Sequence, residues 1–229
     1  MMRIWSAILF ALATLPVIPM NTAQAQDGPV YAVSYIDGAP ASSAAVAKAL
    51  QQLAAASRKD GGNDRLEVLQ RIAHPNQFVM VSVWKDKKSY DAHAGAAHTK
   101  DFREKMKPQL ISLVDDRLHS GFEIASGPAG KVAAGAIFVV THVDVPPPRK
   151  DECEAALKAL AAASRKEAGV VRFEVFQQSN RPNHFTVVEV WKNQKAYDDH
   201  IVLAHNKKFR DTLTPMTGAL YDERLYKAL

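Results

Sequence analysis

Two ten-residue stretches of the chain carry most of the side chains able to do chemistry. WKDKKSYDAH runs from Trp84 to His93, and WKNQKAYDDH runs from Trp191 to His200. Trp, Lys, Lys, Tyr, Asp and His recur at the same spacing. An imidazole titrates near neutral pH, so His93 or His200 can take up and return a proton. Trp84 and Trp191 can wall an apolar pocket, and Tyr90 and Tyr197 can add a hydroxyl to it. His98 and His205 follow each stretch, and Arg103 and Arg210 come after them, guanidinium groups suited to pairing with an anion. Glu189 precedes Trp191, and His142 lies upstream, where the first stretch has Ser82 and Tyr35. Together these residues could exchange a proton in a dry, aromatic-walled pocket and hold an anion there. A plainer reading also fits. A Trp ending a half-buried strand usually belongs to the core, and Tyr and His just after it can fix the start of a helix.

The stretches recur because the chain is an internal duplication. Shifted by 107 residues it lies on itself without a gap, so Ala56-Ser57-Arg58-Lys59 falls on Ala163-Ser164-Arg165-Lys166 and Phe102-Arg103 on Phe209-Arg210. Roughly forty of about ninety positions are identical, far above chance. Ser120 to Gly135, rich in Gly, Ala and Ser, joins the copies. The domains are thus 29–123 and 136–229, with a linker at 124–135. Gly127 to Lys131 has too short a spacing for a phosphate loop, and Val132 stands where Ser or Thr is required.

Each copy reads as strand-helix-strand-strand-helix-strand. Val30–Ile36 and Ile137–Val143 are opening strands. Ser43 starts one helix, and Asp151 with Glu154 forms a capping-box pattern for its equivalent. Arg65–Arg71 with Phe78–Trp84, and Arg172–Gln178 with Phe185–Trp191, make hairpins. A broken helical stretch spans Lys87 to about Leu110 and Gln194 to about Leu213, and short strands near Asp115–His119 and Asp222–Lys227 close the copies. Phe185, Val187, Glu189 and Trp191 alternate with Thr186, Val188 and Val190, so both faces of this strand are largely apolar and both need cover. One face takes the copy's own helices, and the other requires a second sheet. The fold class is therefore α+β, two tandem ferredoxin-like units closing a fused dimeric α+β barrel.

Arg3, the apolar run Ile4 to Met20 and Ala23-Gln24-Ala25 read as a secretory signal peptide over 1–25, which implies a secreted or periplasmic mature protein. The one cysteine, Cys153, excludes an internal disulfide and occupies an apolar helical position, as a small buried hydrophobe. The net charge of +5 is spread along the chain, unlike a nucleic-acid-binding arm. No segment after the leader is long and apolar enough to span a bilayer. His93 and His98, like His200 and His205, are five apart, which on one helix turns them to different faces, so no metal site is expected.

The sequence resembles the antibiotic biosynthesis monooxygenase family, including quinol monooxygenases. The likeness is carried by Phe185, Glu189-Val190-Trp191, Tyr197, His200, His205, Phe209 and the ending Gly218 to Tyr226, and it covers nearly the whole mature chain twice. It implies oxidation of a small quinol-like or phenolic substrate by O₂ without metal or flavin, with no cofactor. It implies His200, His205 and Glu189 as catalytic, and Trp191, Tyr197, His142, Arg210, Trp84, Tyr90 and His93 as substrate-binding. Quinone-forming members carry an Asn before the Trp where this chain has Met80 and Val187. Haem-degrading members place a Trp at the positions of His93 or His200 and a ligating His near Arg103 or Arg210, so haem ligation by that route is not expected. The second copy is closer to the family and is expected to be the working one, with the first as its structural partner. The rival is a non-catalytic binder of an aromatic or porphyrin, and a third reading is a structural protein with no ligand. A polar pocket where His and Glu converge favours the enzyme, an open apolar pocket the binder, and a self-filled pocket the structural role. Further homo-oligomerisation of the fused pseudo-dimer stays open.

Overall fold

The computed structural model describes residues 28–124, 132–219 and 221–229. The leader at 1–25 and the Gly127–Lys131 segment lie outside the described residues. The first half runs β1 (Val30–Asp37), α1 (Ser43–Ser57), β2 (Asn63–Arg71), β3 (Gln77–Trp84), α2 (Lys87–Gly95), α3 (Ala97–Met106) and β4 (Asp115–Glu123). The second runs β5 (Ile137–Asp144), α4 (Lys150–Ser164), β6 (Val170–Gln178), β7 (His184–Trp191), α5 (Gln194–Ile201), α6 (Ala204–Leu213) and β8 (Asp222–Ala228).

The eight strands close one antiparallel barrel in the order β1-β3-β2-β8-β5-β7-β6-β4. Two seams join the halves: Leu69–Arg71 of β2 pair with Tyr226–Ala228 of β8, and β4 pairs with β6 from His119↔Gln178 to Glu123↔Val175. The expected two-faced burial is present. Phe185, Val187 and Trp191 of β7 pack with Cys153, Leu157 and Leu160 of α4, whereas Val188 and Val190 face the barrel interior with Val79, Val81 and Phe138. The first half builds the matching helix-side core from Ile36, Leu50, Phe78 and Phe102. Fully burying side chains of this size contributes about 2 kcal/mol each. Cys153 is buried, which pushes its thiol up to about 12 and leaves it protonated and inert. Among the described residues no helix is long and apolar enough to cross a membrane.

Three sequence expectations are corrected. The Asp151–Glu154 capping box does not form, because the turn Pro147–Arg149 leads straight into α4 and the cap position falls on Arg149. Asp151 instead lies in the first helical turn, where its charge suits the helix dipole, and Glu154 accepts from Gln177. Ser120–Glu123 are not connecting chain but continue β4, because β6 offers them a ladder partner. The histidine spacing was judged on one helix. The chain breaks at Ala96 and again at Val202–Leu203, so the two members of each pair sit on successive helices.

Across the barrel, β2 and β6 face each other through a quartet of charges. Arg65 donates to both oxygens of Glu174 at 3.2 and 2.5 Å, and Arg172 reaches Glu67 at 2.6 Å. Arg172 also lies 3.3 Å from Glu174, whose side chain is 2% exposed. Arg65 matches Arg172 and Glu67 matches Glu174 under the 107-residue shift, so the quartet joins the two copies symmetrically. Glu174→Ala leaves two arginines short of a counter-charge and is expected to destabilise the fold by about 3 kcal/mol, read as a lower urea midpoint. A midpoint unchanged from wild type would show that the quartet does not hold the halves together.

Candidate active site

The repeated stretches are built by the local chain. Asp86 caps α2 by accepting from the Ser89 amide at 2.7 Å, and Asn193 caps α5 by accepting from the Ala196 amide at 3.0 Å. Surface pairs four residues apart run along these helices, Lys87 to Asp91 in the first half and Gln194 to Asp198 and Lys195 to Asp199 in the second. The turn before β2 lies close against α2. Gly62 has a φ of +83° there, and a Cβ on it would run into Ser89. This approach carries Asp60 up to the histidines.

Trp84 and Trp191 end their strands fully buried. Each stacks on the histidine of its own stretch, Trp84 on His93 with ring centroids 4.5 Å apart and Trp191 on His200 at 4.4 Å. His93 Nδ1 lies 2.8 Å from Asp60 Oδ2, which His98 Nε2 also meets at 3.1 Å. In the second half Glu167 takes the place of Asp60, 2.7 Å from His200 Nδ1 and 2.8 Å from His205 Nε2. The carboxylate accepts an N–H from each ring, which fixes the Nδ1–H tautomer of the buried histidine. Burial pulls both His93 and His200 below the ordinary imidazole range, with the carboxylate opposing, so both rings are neutral at neutral pH.

The halves then part. Asn206 sits 2.7 Å from His200 Nε2, and its own oxygen accepts from Arg210 at 2.9 Å, so the amide donates into the imidazole. Thr99 replaces Asn206 in the first half and lies 3.4 Å from His93 Nδ1. Among the described residues none hydrogen-bonds His93 Nε2. The Trp84 indole donates to Ser82 at 2.9 Å, whereas that of Trp191 donates to Glu189 at 2.8 Å.

A cavity opens on the helix side of the first half. It is lined by Ser34, Ser82, Tyr90, His93, Thr99 and Arg103 among others, and about 20 Å³ of it is open to the centre of a water molecule, room for a single water. Arg103 closes one side, 2.6 Å from Asp116, which also accepts from Ser34 at 2.5 Å. Burial holds the Tyr90 phenol up at about 12, so it stays a hydrogen-bond donor. In the second half the framing residues are larger. Ile201 stands for Ala94, Tyr221 for Val114 and Glu189 for Ser82. Ile201 and Tyr221 pack on the core and Glu189 is buried, so these side chains take up the matching space. Arg210 lies over the Tyr221 ring and pairs with Glu223 at 2.7 Å.

Of the sequence candidates, Trp191, His200, His205 and Glu189 are brought together in one network with Tyr197 beside them, and Tyr90 and His93 meet at the cavity, with Trp84 stacked behind His93 and outside the lining. His142 joins neither group. It follows Phe138 and Val140 on the barrel-facing side of β5, whereas the histidines lie on the helix side. Sequence reasoning missed Asp60, Glu167, Asp116, Glu223 and Asn206. The acids were visible only as an acidic residue in both copies under the 107-residue shift.

A closed eight-stranded barrel of two ferredoxin-like units, with a polar cavity between sheet and helices, defines the class. The antibiotic biosynthesis monooxygenase family model matches residues 29–105 and again 136–212, and the chain belongs to that family. It is 29% identical over 73 residues to "Putative monooxygenase YcnE" of Bacillus subtilis, covering 32% of this chain and 77% of that one. It is 26% identical over 97 residues to an uncharacterized protein of Synechocystis, sll1783, covering 42% of this chain and 66% of that relative, just under two thirds of its length. The solved structure of a "Putative monooxygenase" from Fusobacterium nucleatum superposes with a TM-score of 0.78 at 16% identity, over 89% of this chain and 94% of that one, which shows the shared fold.

Burial pushes Glu189 up to about 8, with the Trp191 N–H opposing. The folded state therefore keeps a proton on Glu189 that the unfolded chain releases at ordinary carboxylate pH. Stability from this group falls as pH rises from about 4.5 towards 8. Glu189→Gln, which still offers Trp191 an acceptor, is expected to flatten that fall and to be the more stable form at pH 8, measured by urea unfolding at pH 5 and pH 8. Parallel pH profiles for the two proteins would mean that Glu189 is ionised in the fold.

Proposed function

We propose that this chain is an exported, cofactor-independent monooxygenase that oxidises a small quinol-like or phenolic aromatic with O₂, working from the cavity of its first half. The observation carrying this reading is His93, a neutral imidazole lining the cavity with Nδ1 held by Asp60 and Nε2 free. Such a ring is set to take a proton from a bound hydroxyl, and Asp60 steadies the imidazolium that results. The phenolate is a better electron donor to O₂ than the phenol. Arg103 can face its charge, and Tyr90 and Ser82 offer hydroxyls to its oxygens. The stoichiometry needs no added reductant. One oxygen atom enters a ring carbon, the other leaves as water, and the substrate supplies the four electrons by losing an O–H and a C–H hydrogen to become a quinone. With room for about one water at rest, the cavity must widen to admit a ring, by an outward shift of the α2–α3 corner at Gly95 and Ala96.

The self-filled pocket of the second half supports a structural role there, with its Trp–His–Glu set as core. The family relationship supports monooxygenase chemistry, and the leader pattern supports export.

Oxygen uptake by the mature chain, stripped of metal, is the test, run over hydroquinones and catechols. Uptake above autoxidation is expected. His93→Gln should lower kcat by about 10²- to 10⁴-fold, and His200→Gln far less. Ala94→Ile and Val114→Tyr, which install the fillers of the second half, should abolish uptake while leaving the unfolding midpoint near wild type. Equal losses from His93→Gln and His200→Gln would refute a first-half site. Tight aromatic binding without uptake would point to a binding protein.

A further inference from the structure

Three clusters pair two donors of metal-ligand type with a third: Asp60 with His93 and His98, Glu167 with His200 and His205, and Asp144 with His142 and His184. The first two are complete as hydrogen-bonded sets, since one carboxylate oxygen already meets both rings at 2.7 to 3.1 Å. The third is not. His142 Nδ1 is buried and has no hydrogen-bond partner among the described residues, a cost that a folded protein normally avoids. His184 Nε2 lies 3.1 Å from Asp144 Oδ1 but off the line of a hydrogen bond.

We propose that His142, Asp144 and His184 form a binding site for a borderline divalent cation of the zinc type. Asp144 and His184 are direct cross-strand partners on β5 and β7, and His142 opposes Thr186 two residues along. All three project to the barrel-facing side at the strand ends, with the two rings 5.6 Å apart between centroids. Their donor atoms lie within 4.8 Å of one another, and small side-chain rotations bring them to the roughly 3.3 Å separation of a tetrahedral zinc's ligands. Two imidazoles and a carboxylate select zinc, nickel or copper over calcium or magnesium, and three protein ligands leave a position for water. Burial and Arg117 hold His142 down at about 4, so its lone pair is available at neutral pH. That arginine is itself paired with Asp115 at 2.7 Å, and Asp222, opposite His142 on β8, is paired with Arg224 at 2.7 Å, so these flanking charges largely offset one another. The ion would tie the end of β5 to the start of β7. Asp144 also accepts the Gly218 amide through its carbonyl at 2.8 Å, which extends the tie to the segment leading into β8.

The duplication supports the assignment and supplies its controls. The matching residues of the first half are Tyr35, Asp37 and Gln77, so the fold forms one copy without the histidines. His142→Tyr and His184→Gln therefore install residues that the same strand positions already accept. The mature chain, stripped of metal, would be titrated with Co²⁺ and with Zn²⁺, reading visible d–d absorption, calorimetry and the thermal midpoint. Wild type should take up one tight equivalent and gain several degrees in midpoint. Each substitution should weaken that equivalent by about tenfold or more, and the pair should abolish the gain. His205→Ala should leave the tight equivalent in place. Loss of that equivalent in His205→Ala with retention in His142→Tyr, or no tight equivalent in wild type, would overturn the proposal.

Discussion

Everything in this molecule follows from a sheet with two apolar faces. Each half has strands such as β7 in which Phe185, Val187 and Trp191 look one way and Val188 and Val190 the other. A half's own helices cover only the first face. Left alone, the second would expose Val, Phe and Tyr to water, together with the free edges of β2, β4, β6 and β8. The other half removes both liabilities at once. It supplies the opposing wall of the barrel core and the ladder partners at the β2–β8 and β4–β6 seams. Fusion in one chain makes that pairing intramolecular, so it no longer depends on protein concentration. The Arg65–Glu174 and Arg172–Glu67 contacts then add register to the barrel interior, the role for which buried ion pairs are best suited.

Because barrel closure carries the fold, the helix-side spaces were free to diverge. Both copies keep the Trp, the Tyr, the stacked histidine and the acid behind it. They differ at the rim, where Ala94, Val114 and Ser82 face Ile201, Tyr221 and Glu189. Those three changes add enough volume and polarity to turn a cavity into core. A filled pocket stabilises through burial, and an open one gives up some of that burial in exchange for access.

The sequence made the duplication, the strand alternation and the barrel legible, because period-two burial and a gapless 107-residue shift are local signals. It exposed the Trp, Tyr and His of each stretch for the same reason. It did not reveal that His93 and His98 converge, because a broken helical stretch leaves open where the break falls, and only the break at Gly95–Ala96 brings the two rings to one carboxylate. Asp60 and Glu167 were hidden by their distance of 33 residues from the histidines they serve. His142 was grouped with the other candidates by residue type, yet strand parity puts it on the opposite face. The second half is the closer to the family in residue types, whereas the cavity at His93 lies in the first, since likeness counts residue types and a cavity depends on the volume of the residues around it.

The acceptor beneath each tryptophan shows why likeness and chemistry point to different halves. The carboxyl of Glu189 resists ionisation because burial strips it of water, a cost that the Trp191 N–H and the Arg210 charge only partly offset. An aromatic anion formed beside it would force the choice between two negative charges and a retained proton. Two like charges about 4 Å apart cost about 4 kcal/mol at the effective dielectric of a partly buried site, roughly a thousandfold in rate. Ser82 accepts the Trp84 N–H without that penalty, and the nearby Asp116 is already paired with Arg103. On the proposed chemistry, the half whose tryptophan rests on a hydroxyl is the one suited to an anion.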